Sequence, residues 1–202
     1  MSRWGLAGLL ILLLGGCVRS PKALAIRDPR IDDDQRSWLV DAEDEVAIAR
    51  ARIDDTTAAR TALRDSHAVL MARVRAAGTD PGPWQALGRA RETLADKEVR
   101  RSSTRLAHAQ ARLKLVRAEV AMGADLAVYD LEPLRAEVGR HRKRLAGLVR
   151  DVEKADLEAE DRADEAWASW RHHLATSGLT GAFWKGVGVD PTDAVADPTD
   201  GG

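Results

Sequence analysis

The stretch LVDAEDEVAIARARIDDTTAARTALRDSHAVLMARVRAAGTDPGP, residues 39–83, decides the fold. Spacings of three and four link Leu39, Ala42, Val46, Ala49, Ile53, Thr56, Arg60, Leu63, His67, Leu70, Val74 and Ala77 without a break. Nine of those twelve positions are apolar, which is the seam of a coiled-coil helix rather than the broad stripe of a globular one. Asp32, Asp33 and Asp34 stand where acids cap a helix and suit its dipole. Arg73 and Arg75 fall in the last turn, and Gly78 follows as the residue that ends it. Two prolines and two glycines in GTDPGP then stop the helix sharply. The spacing predicts a first helix over 34–77, roughly 65 Å long at about 1.5 Å per residue.

A second helix is predicted from Pro83 to about Met122, with its seam at Val99, Ser102, Leu106, Ala109, Leu113, Val116 and Val120. Its first half, around DKEVRRSSTR, is poor in apolar residues and should pack weakly. Near-equal helices around a tight turn make an antiparallel hairpin. Residues 122–134, MGADLAVYDLEPL, pose the main choice of topology. Gly123 weakens a helix there, Asp130 suits a new cap, and Pro133 is tolerated in a first turn. A second turn at this joint would bury the seams on both sides of it, whereas one helix of more than 90 residues would leave half its stripe bare. The seam resumes at Leu131, Leu134, Val138, His141, Leu145, Leu148, Val152, Ala155 and Ala159, then drifts to Ala163, Ala166, Trp170 and Leu174. The expected fold is all-α: three long antiparallel helices, about 34–77, 83–122 and 131–176, in an elongated up-down-up bundle of coiled-coil hairpins. Residues 177–202, rich in glycine, proline and aspartate, are expected to form a disordered tail.

Ahead of this body, LLILLLGGCVRS, residues 9–20, ends an apolar run at the chain's one cysteine. Arg3, the run from Trp4 to Leu14 and the small pair Gly15-Gly16 have the order of a secretory signal, and the run is too short to span a bilayer. Leu14-Gly15-Gly16-Cys17 resembles the lipobox of bacterial lipoproteins. That resemblance implies cleavage before Cys17, removal of residues 1–16, and acyl chains such as palmitate on the cysteine. Two or three chains on one residue suffice for stable anchoring. Val18, where an aspartate often retains such proteins in the inner membrane, implies the outer membrane. Residues 17–33, with Pro21 and Pro29, then read as a tether.

Removing Arg3 from the 31 Lys+Arg leaves 30 against 32 Asp+Glu, a net charge of −2 with the signs interspersed. Nothing in that balance calls for nucleic acid. The sequence has no HExxH, CxxC, phosphate loop or GxSxG, so an enzyme, a cofactor, a bound metal and a small-molecule substrate are not expected. His67 and His141 both fall on seams and would meet if their helices brought them level, as a switch or a metal pair, although a histidine bridging a thin seam is the plainer reading. Trp84, Trp167 and Trp170 should share one end of the bundle, with Trp38 and Tyr129 at the other; the three are the candidate partner-docking residues, and the equal alternative is that each tryptophan simply covers a helix end. The role expected is a structural or adaptor lipoprotein that engages an envelope partner or its own copies. Two alternatives stay open: an accessory subunit of an efflux or secretion assembly, and a non-covalent cell-wall tether similar to the major murein lipoprotein.

Overall fold

A computed structural model describes residues 28–177, and within them the chain is three long helices with no strand: α1 Asp33–Ala76, α2 Gly82–Gly123 and α3 Glu132–Ser177. The signal, Cys17 and the tail lie outside the described residues. The helices have 44, 42 and 46 residues. At a rise of about 1.5 Å per residue, each is roughly 65 Å long. The chain turns at the 122–134 joint, so α3 folds back along α2 as the seam argument requires.

The ends of the helices are set by local chemistry. Asp32 accepts the Gln35 backbone N–H at 2.7 Å, while the Asp32 N–H donates to Gln35 Oε1 at 3.3 Å, a complete capping box. At the other end of α1, Gly78 has φ +68°, its N–H donates to Arg75 O at 3.1 Å, and Thr79 N–H donates to Val74 O at 3.3 Å. That paired arrangement is the Schellman motif, and its left-handed residue explains the glycine. α2 ends the same way, with Asp125 N–H on Met122 O and Leu126 N–H on Ala121 O, but Asp125 holds the left-handed position at φ 52°. Asp130 Oδ1 then accepts Glu132 N–H at 3.1 Å to open α3, with Pro133 in the first turn.

Every position of the α1 seam is buried or half-buried, and so is every position of the α3 seam. The middle helix differs. α2 packs along both α1 and α3, while those two hardly meet. It therefore needs a second inward stripe, supplied by Ala90, Thr104, Ala111 and Ala118, beside the first at Ser102, Ala109 and Val120. Small side chains there let helix axes approach closely.

Large apolar groups gather at the two ends. Near the turn between α1 and α2, the distal end, Met71, Val74, Trp84, Leu87, Ala163, Ala166 and Trp170 form one cluster across all three helices. At the base, where the chain arrives, Ile31 and Leu39 pack on Val120 and Ala124. Between them, residues 91–101 of α2 contain no buried side chain, although Ser102 and Thr104, at the end of the polar run DKEVRRSSTR, are buried. Ion pairs span this stretch and the base instead. Arg60 approaches Asp96 at 2.7 Å, Arg64 Nε donates to Glu92 at 2.6 Å, and Arg112 and Arg117 reach Glu45 and Glu43 at 2.9 Å. α3 joins through Lys114–Glu137 at 3.1 Å and Arg135–Glu119 at 3.3 Å. Partly exposed pairs contribute at most about 1 kcal/mol each, so they fix register more than they add stability.

Candidate functional site

The distal tryptophans come together as the up-down-up order requires. Trp84, in the first turn of α2, and Trp167, near the end of α3, meet edge to face with ring centroids 5.6 Å apart and planes at 74°. Trp170 stacks on His173 at 5.6 Å and 30°. They are not exposed as a docking surface would be, and their placement fits the alternative in which each ring covers a helix end. Trp84 and Trp170 are only 2% and 3% exposed, and Trp167 is half-buried against the same cluster. The reason lies in α2, which starts directly at Gly82-Pro83 and so turns Trp84 into the gap between α1 and α3. These rings are core. The indole N–H groups of Trp84 and Trp167 are buried without an acceptor, a cost of about 1–3 kcal/mol each that the apolar packing offsets.

Trp38, near the start of α1, and Tyr129, in the turn between α2 and α3, lie at the base, the end opposite the distal cluster; Trp38 is 56% exposed and Tyr129 half-buried. Val128 and Val40 are exposed nearby in sequence.

The two seam histidines do not meet. α1 and α3 both rise from the base, and His67 lies in the last quarter of α1 while His141 lies in the first quarter of α3. At the helical rise, that separates them in height by roughly 40 Å. His67 instead packs on Gly88 of α2, where a Cβ would overlap its imidazole. Burial pushes its pKa down from the ordinary value, the charge of Arg91 adds to that, and Glu92 opposes it. His141 lies within electrostatic reach of His108 on α2, whose pKa is lowered first by burial and further by Arg112, Arg142 and His141 against Glu45. Among the described residues no group of three or more His, Cys, Asp or Glu is placed to hold a metal ion.

One concavity was not foreseen. Because α1 and α3 hardly meet, a groove of about 680 Å³ opens between them over α2 at mid-height. Ile48 and Arg52 of α1 form one wall, Leu145 and Val149 of α3 the other, and Arg101, Ser102 and Arg105 the floor. Ile48 is 66% exposed. A groove between first and third helices has no signature in any one helix's periodicity, which reports only which face is inward.

No family model, curated protein or solved structure matches the chain. Among the described residues no helix is long and apolar enough to cross a membrane.

Proposed function

We propose that this chain is a lipoprotein held in the outer membrane by acyl chains on Cys17, with a non-catalytic helical body that acts as a structural or adaptor rod and binds an envelope protein. The observation that carries this reading is Leu14-Gly15-Gly16-Cys17 at the end of an apolar signal-like run. The helical body is consistent with it: three helices of roughly 65 Å make a stiff spacer. The eleven steps from Cys17 to residue 28 span at most about 40 Å, which keeps the base near the anchor. Exposed Trp38 at that end suits the boundary between water and headgroups.

The test replaces Cys17 by Ser in cells fed an alkyne fatty acid. The natural chain is expected to take the label and sediment with membranes, and the C17S variant to do neither. A variant that still labels and still sediments would remove the anchor.

A further inference from the structure

Among the described residues, the outward side of α3 is a helix face that no other helix covers. Its seam, Val152 through Ala159 to Trp170, turns toward the rest of the body, and the charged positions on its other sides are almost all exposed. Their signs are segregated. Residues 135–150 hold six Lys/Arg and one Glu, a net +5; residues 151–165 hold eight Asp/Glu and two Lys/Arg, a net −6. Among the described residues the ion pairs of α3 are Lys114–Glu137, Arg135–Glu119 and Arg162–Glu165. The cluster Arg140, Arg142, Lys143 and Arg144 has no such partner, and neither do the acids from Asp151 to Asp164, of which Glu158 and Asp161 lie within electrostatic reach of Arg162. A basic first half and an acidic second half also gain nothing from the helix dipole, which favours the reverse order. Leu157, 63% exposed, lies two turns beyond the point where the sign changes.

We propose that α3 is the self-association face of this protein: a second copy docks its α3 antiparallel, with the two-fold axis beside Arg150 and Asp151. A partner of a single sign would satisfy one half of α3 and be repelled by the other, and a parallel copy would set like on like. The antiparallel copy matches both halves at once and is self-complementary, as a two-fold contact must be. Facing residues then have numbers that sum to about 301, so Lys143 meets Glu158 and Leu157 lies along the Arg144 stem. A contact about 46 Å long and about 10 Å wide buries roughly 900 Å² over both copies, at the low end for a specific interface. Such a dimer is weak and sensitive to salt. The inference goes beyond the anchoring reading and uses none of it.

The test uses the full chain carrying C17S, so that introduced thiols are the only ones. On oxidation, R150C is expected to link to itself. K143C and E158C are expected to link to each other when mixed, and neither to itself. Raising salt from 50 to 500 mM should cut the yield about tenfold, because surface attraction is screened. Reversing Arg140, Arg142, Lys143 and Arg144 to Glu should cut it by a similar factor. Adding Lys at Asp156, Glu158, Glu160 and Asp161 in the same chain should restore it. These exposed changes are expected to leave circular dichroism unaltered. A monomer by sedimentation at both salt concentrations, K143C linking to itself, or failure of the second set of reversals to rescue would each overturn the proposal.

Discussion

Replacing Gly88 by alanine in α2 is expected to destabilise the chain even though alanine is the better helix former. Three ring atoms of His67 occupy the space that a Cβ would take, and all three lie closer to it than real Cβ contacts come. Either the imidazole leaves its rotamer or α1 and α2 separate locally, an overpacking cost of about 1–3 kcal/mol. The Gly→Ala exchange returns about 1 kcal/mol of helix propensity, which leaves a net loss of about 1 kcal/mol. In a His67→Ala background the obstacle is gone, and G88A should then stabilise by about 1 kcal/mol. The two sites are therefore expected to couple by about 2 kcal/mol in a double-mutant cycle. Urea unfolding followed by circular dichroism gives the four stabilities, and Trp84, one turn from Gly88, provides a fluorescence check. If G88A shifts stability in the same direction in both backgrounds, the close approach at His67 does not control this site.

Gly78 holds a left-handed backbone with open space where a Cβ would go. Gly78→Ala should therefore cost about 1.5 kcal/mol by urea unfolding, from backbone strain alone. Asp125 holds the same conformation at the end of α2. Asp125→Gly should move stability the other way, by about 0.5 kcal/mol in the same assay. His67 and His108 have folded pKa values below the ordinary 6.5, so the unfolded chain binds protons first as pH falls. Stability from these two should be intact above pH 6.5 and be lost as pH drops from there through the folded values, and the H67Q/H108Q variant should show a flatter unfolding midpoint between pH 7 and 5. Trp84→Ala should cost about 3–5 kcal/mol and shift the emission of Trp167 to the red, whereas Trp84→Phe should cost much less because the lost N–H has no acceptor.

Periodicity made α1 and α3 legible because each packs against one neighbour, and a helix with one neighbour shows one stripe. α2 has two neighbours, and its second stripe was hidden because Ala90, Thr104, Ala111 and Ala118 are small or hydroxylated and do not read as apolar. Met71 was missed for a related reason: it sits one position off the three-four seam and fills the distal cluster with a flexible side chain. The turn at the 122–134 joint was readable from Gly123, Asp130 and Pro133, and it alone brought Trp84 to Trp167. Whether those rings faced inward was not readable, since that depends on how α2 leaves Gly82. The His67–His141 pairing failed on height, a quantity that the heptad position does not contain.

Ile31 precedes α1 and is 1% exposed, packed with Leu39 on Val120 and Ala124. The chain is thus clasped by the core before its first helix begins. Any pull on that segment loads this clasp first, and it acts at the end of the rod, where the seam between α1 and α2 opens one contact at a time. Resistance to traction therefore begins at these four side chains, and the polar middle of the seam adds little before the distal cluster is reached. Ile31→Ala would leave the distal tryptophan cluster intact and yet lower the force at which α1 peels from its neighbour.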